Sequence, residues 1–141
     1  MSWTYSSFNQ GLTLRRLNRI DESRRALGLF RQQLPEDPRA FRELAMLDLA
    51  QTNTASALVQ LSAAVQLDPS WYTPLLDIAL IHAEQGLVEE SLRYLEMTLD
   101  KAPAWLINRV YQQKTFDYIR LVPESKPFEA KLVAQFRQQQ P

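Results

Sequence analysis

Apolar residues recur at helical spacing along most of the chain. Leu58, Leu61 and Val65, with alanines between them, form an i, i+3, i+7 stripe, and Leu92, Leu95 and Leu99 form another. Near the C-terminus Phe128, Leu132, Val133 and Phe136 give a third apolar face. Start signals accompany the stripes. Asp37-Pro38 reads as an N-cap carboxylate followed by a proline at the first helical position, where its missing N–H costs nothing. Thr54 is expected to cap the next helix, and Ser70 the one after it, with Pro74 inside the opening turn. The predicted helices are about 13 residues long, or roughly 20 Å at 1.5 Å per residue.

The helical pattern is itself periodic. Pro35, Pro69 and Pro103 stand 34 residues apart, and other columns keep the same step. Gly11, Ala45 and Ala79 form a column of small residues, Asn18, Thr52 and Gly86 a turn column, and Leu27, Leu61 and Leu95 a leucine column. A second small column holds Ser23, Ala57 and Ser91. A fixed 34-residue step belongs to arrays of paired helices, in which each pair buries its apolar face against the next.

These columns resemble the tetratricopeptide repeat. The resemblance implies an all-α fold, an α-α superhelix forming a right-handed solenoid of antiparallel helix pairs, with repeats at 4–37, 38–71 and 72–105. The middle repeat matches best, through Phe41, Leu44, Ala45, Ala57, Leu61, Ala64 and the ending Leu67-Asp68-Pro69. Departures are few. Ser7 and Gln10 replace large apolar residues in the first repeat, as suits an N-terminal cap, and Phe30 and Thr98 stand where the family has alanine. His82 occupies a position where an aromatic is common. Gly28, inside a predicted helix, costs about 1 kcal/mol relative to alanine.

Beyond 105 the frame fails. Arg109, Gln112, Gln113 and Glu129 fall where apolar or small residues belong, and Arg137 replaces the next proline. The segment 106–141 is expected to be a C-terminal cap over the third repeat. It reads as a helix from about Ala104, a break near Val122-Pro123, and a last helix from about Pro127 to Gln139. A regulatory helix folding back into a groove is the alternative. The end, Gln138-Gln139-Gln140-Pro141, is expected to fray.

Charge narrows the function classes. Sixteen basic side chains balance sixteen acidic ones, so no global field favours nucleic acid or an anionic membrane. Locally, 4–37 holds six arginines against four acids, whereas 72–105 holds six acids against two bases. That asymmetry raises head-to-tail assembly into a homo-oligomer as a second reading of function. Without cysteine there is no disulfide framework or thiolate metal site. Met1-Ser2-Trp3-Thr4-Tyr5 does not read as a secretory signal, and no apolar run reaches a membrane-spanning length. A soluble, cytoplasmic protein is the expectation; a regulatory fragment of a larger protein would read the same way.

Catalytic chemistry has little to work with. His82 is the single histidine and sits at a packing position. Asp77 and Glu84, two helical turns apart, share a helix face without a nucleophile or ligand set beside them. Neither a glycine-rich phosphate loop nor a nucleophile elbow is present. The expectation is a non-enzymatic protein without metal or other cofactor.

In the family it resembles, the first helix of each repeat lines a concave groove that receives a peptide or a helix. The corresponding positions are Tyr5, Phe8, Asn9 and Leu12, then Arg39, Arg42, Glu43 and Met46, then Thr73, Leu76, Asp77, Leu80 and Glu84. The subgroup that grips a chaperone's C-terminal carboxylate uses lysines and asparagines. Phe8 and Leu12 occupy two of those polar positions, so that clamp is missing here. The expected partner is a protein segment with apolar anchors and mixed charge, such as an amphipathic helix.

Overall fold

The computed structural model describes residues 2–140, with side chains from Tyr5 onward. Nine α-helices follow one another among the described residues: α1 (Ser2–Arg16), α2 (Ile20–Gln33), α3 (Pro38–Ala50), α4 (Thr54–Leu67), α5 (Thr73–Glu84), α6 (Val88–Thr98), α7 (Ala104–Tyr111), α8 (Asp117–Leu121) and α9 (Lys126–Gln139). Short 3-10 turns, Lys114–Phe116 and Pro123–Ser125, flank α8. None of these helices is long and apolar enough to cross a membrane. The chain divides into two units, residues 1–69 and 70–141.

Helices pair as α1 with α2, α3 with α4, and α5 with α6. The turn within each pair rests on one repeated device. Asn18, Thr52 and Gly86 all have positive φ, at 59°, 60° and 75°. The next amide in each case reaches back five residues: Arg19 N–H to Leu14 O at 2.8 Å, Asn53 to Asp48 at 2.8 Å, Leu87 to His82 at 2.9 Å. This is the left-handed helix ending that closes orphan carbonyls. Asparagine and glycine adopt it readily, whereas a β-branched threonine does so under strain.

The two small-residue columns meet across each hairpin. Ser23 Oγ donates to Gly11 O at 2.6 Å, and Ser91 Oγ donates to Ala79 O at 2.8 Å, all four residues being buried. A Cβ on Gly11 would lie 2.7 Å from Leu27 Cγ, so α1 and α2 approach too closely there for a side chain to fit without displacing that leucine. The small columns therefore set the interhelix distance, and the serines also hydrogen-bond across it.

Helix starts partly follow expectation. Asp37 caps α3, its carboxylate accepting from Arg39 N–H at 3.0 Å, with Pro38 in the first turn. For α4 the cap is Asn53 and not Thr54. The chain leaves the left-handed Thr52 directly into Asn53, whose side-chain oxygen then faces Ser56 N–H at 3.4 Å. Ser70 does not cap α5, because that helix starts only at Thr73, with Tyr72 at its N-cap place and Pro74 in its first turn.

In unit one, Leu27, Leu44 and Leu47 form an apolar cluster against which Phe8 and Ile20 pack. Asp48 lies beside it, 3% exposed, accepting from Arg24 Nη1 at 3.0 Å and from Ser56 Oγ at 2.7 Å. One polar network thus ties α2, α3 and α4 together.

Unit two joins α5, α6 and the C-terminal segment in a single apolar cluster, including Leu76, Leu95, Ile107, Tyr111, Phe116 and Phe128. Tyr111 packs edge-on against Phe128, ring centroids 5.1 Å apart, and its hydroxyl donates to Glu129 at 2.8 Å. Arg120 donates to Tyr111 O and pairs with Asp117. Two details differ from the sequence expectation. Val133 is 49% exposed, so the buried face of α9 runs through Phe128 and Leu132, with Phe136 partly covered. Gln139 is anchored, its side-chain oxygen accepting from Ala104 N–H at 2.7 Å, which satisfies a free amide at the start of α7.

Candidate partner-binding site

In unit one the candidate residues sit on α1 and α3, and several engage one another. The Arg39 guanidinium lies 5.4 Å from the Tyr5 ring centroid, 5.2 Å from Phe8 and 5.8 Å from Phe30. Asp37 holds it in place through Nε at 3.0 Å and Nη2 at 2.6 Å. That bidentate pair keeps the Asp37 carboxyl below its usual range and raises Arg39 further, against the partial burial of both. Cation–π contact and ion pairing fix Arg39 as a bracket between α1, α2 and α3.

Glu43 is buried between two arginines. Arg15 Nη2 stands 2.9 Å from its Oε2, and Arg42 Nη1 3.5 Å from its Oε1. The Arg15 contact is an ion pair by distance, without hydrogen-bond geometry, since neither Glu43 Oε2 nor Arg15 Nε has a directed partner. Glu43 therefore sets the charge of this face from below its surface. Tyr5 and Asn9 are exposed, and Phe8, Leu12, Arg39, Arg42 and Met46 keep part of their surface accessible.

In unit two the candidates lie along α5. Leu76 is 7% exposed and belongs to the core cluster, so its side chain is not available to a partner; Leu80 packs against the same cluster but stays partly open. Thr73 and Asp77 are half-buried and Glu84 is exposed. His82 makes an interhelix contact, its ring centroid 5.6 Å from that of Tyr94 on α6, and Nδ1 lies 3.3 Å from Gln85 Oε1. Among the described residues no group of three or more His, Cys, Asp or Glu side chains is placed to hold a metal ion.

The charge asymmetry looks different in three dimensions. Of the six arginines within 4–37, Arg15 pairs with Glu43, Arg19 with Glu22, and Arg24 with Asp48. Arg15 and Arg24 pair with acids of α3, which offsets the two-charge basic excess of 4–37 inside unit one. The Arg15–Glu43 and Arg24–Asp48 pairs join residues 28 and 24 apart in sequence, which is why counting charge along the chain did not reveal them.

No family model matches the sequence, and no curated protein matches it. Solved structures share its fold. The crystal structure of MamA aligns with a TM-score of 0.69 at 16% identity, over 95% of this chain and 74% of that one. The type III secretion chaperone SycD of Yersinia enterocolitica, in complex with a peptide of the translocator YopD, gives 0.64 at 12% identity, over 98% and 92%. Both are tetratricopeptide-like proteins, and at such identities the likeness is one of fold. The chain has an all-α, tetratricopeptide-type fold of antiparallel helix pairs.

Proposed function

We propose that this chain is a non-enzymatic protein-interaction module whose α1, α3 and α5 helices present surfaces that receive a peptide or helix of a partner protein. In this reading 4–37, 38–71 and 72–105 are the repeats and 106–141 is their cap. The observation that carries it is the accessible set Tyr5, Asn9, Leu12 and Met46 on α1 and α3, two helices that Arg39 braces through the rings of Tyr5 and Phe8. Leu12 and Met46 offer apolar contact, methionine adapting its shape to the ligand. Arg39, already paired with Asp37 and stacked on the rings of Tyr5 and Phe8, fixes α1 against α3 and so preorganises that surface. The peptide held by SycD supports the same reading through fold likeness. The candidate set narrows accordingly: Leu76 and Glu43 are buried, and on unit two Thr73, Asp77, Leu80 and Glu84 are the candidates that remain on α5.

Affinity capture from the source cells tests this. Leu12→Glu with Met46→Glu places two charges on the surface where apolar contact is required, and specific partners should drop at least tenfold. An unchanged set of partners, with far-UV circular dichroism equal to the parent, overturns the assignment.

A further inference from the structure

Unit two carries a second surface, on α6 and α8. A hollow of about 290 Å³ opens there, lined by Leu87, Val88, Glu89, Glu90, Tyr118 and Glu124 among others. A second hollow of about 360 Å³ shares Glu89 and Glu124 with it and continues past Leu92 and Arg93. The apolar lining is partly open to water. Leu87 is 41% and Tyr118 62% exposed; Leu121, one turn on along α8 and outside the lining, is 84% exposed. Exposed apolar side chains gathered against a polar rim mark contact surfaces, whereas isolated ones do not.

The rim of the first hollow has one sign, whereas the second also carries Arg93. Neighbouring carboxylates are neutralised: Asp117 by Arg120, Glu96 by Lys131, and Glu129 by Lys126. Glu89, Glu90 and Glu124 have no side-chain partner among the described residues, and neither lysine nor arginine lines the first hollow. Glu89 and Glu90 lie in the first turn of α6 and there offset the positive helix end. That role accounts for two acids. It does not account for Glu124, nor for the exposed Leu87, Tyr118 and Leu121.

We propose that this hollow docks a basic segment of another protein. One large apolar side chain of that segment seats against Leu87 and Tyr118, and Lys or Arg residues on either side meet Glu89, Glu90 and Glu124. Charge complementarity selects the occupant. A second copy of this chain, offering the exposed Arg16 and Arg25, is the competing occupant, and the test below separates it from a basic segment of another protein. The proposal does not depend on α1, α3 or α5 binding anything. The carboxylates speed encounter and make it salt-sensitive, while the apolar seat sets the dissociation rate.

The test uses the full chain and two fluorescein-labelled octapeptides, GKKLFKKG and GKKSSKKG, in fluorescence anisotropy with amide chemical-shift mapping. The first peptide should bind saturably, and at least fivefold more tightly than the second. Glu89→Gln, Glu90→Gln and Glu124→Gln together, or Tyr118→Ser alone, should weaken it at least fivefold with thermal unfolding unchanged. Shifts should gather at 86–90 and 118–124. Absence of saturable binding, equal binding of both peptides, indifference to the glutamine variant, or shifts centred on α1 and α3 would each overturn the proposal. So would self-association of the free protein that Tyr118→Ser abolishes, since a second copy would then be the occupant.

Discussion

Thr52 is the weakest of the three hairpin turns, and its cost can be worked out. It holds φ near 60°, as Asn18 does at 59° and Gly86 at 75°. A residue with a Cβ in this region pays about 1–2 kcal/mol, and β-branching places threonine at the upper end. Its hydroxyl bond to Gln51 O, 2.6 Å long and exposed, recovers little. Thr52→Gly removes the steric cost but adds roughly 0.5–1 kcal/mol of unfolded-chain entropy. The net gain should be about 1 kcal/mol, or roughly 3 °C in Tm for a chain of this size. Gly86→Thr is the reverse experiment. A Cβ there meets no heavy atom within 4 Å, so any loss isolates the backbone term, and about 1 kcal/mol is expected. Urea titration followed by far-UV circular dichroism gives both values, with m unchanged. If Thr52→Gly lowers stability while Gly86→Thr is harmless, the shared left-handed ending is wrong.

Three further outcomes follow from the packing. Asp48→Ala should cost about 2 kcal/mol in urea; a fully buried pair costs more, but Arg24 is exposed enough to regain water. Gly28→Ala, in mid-α2 with open space where its Cβ would lie, should gain about 0.5–1 kcal/mol by the same titration. Burial opposes ionisation of Glu129, but hydrogen bonds from Tyr111, Lys126 and Ser125 outweigh it and hold its carboxyl below its ordinary value of 4.5. Its stabilisation is therefore present above pH 4.5 and is lost as pH falls through the folded value. Melting curves across that range should be flatter for Glu129→Gln than for the parent. Tyr111, pushed up to about 12 by burial and by Glu129, remains neutral throughout that range.

What was legible in the sequence was whatever a local period encodes. Proline, small, turn and leucine columns recur because each hairpin solves the same packing problem, so helices, turns and close approaches could be read from spacing alone. The turn column even marked the three residues with positive φ. Non-periodic contacts between elements left no such trace: the Arg24–Asp48 pair spans 24 residues and the Gln139–Ala104 bond 35. Counting charge therefore overstated how basic the first hairpin is, and the repeat resemblance placed Leu76 on an open face when the α7–α9 segment shares its core. The same segment was read as two helices because short 3-10 turns and the five-residue α8 carry no stripe of their own. The interlocking of the candidate residues was not legible: Arg39 depends on Asp37, two residues away, but also on rings 31 and 34 residues upstream.

Site-specific photo-crosslinking tests the central claim most directly. A benzophenone side chain at Leu12 or Met46 probes the candidate surface, and one at Val59, 70% exposed on α4, serves as the control. The account predicts a discrete partner adduct from positions 12 and 46 and none from 59. Adducts from position 59 alone, or equally from all three, would contradict it.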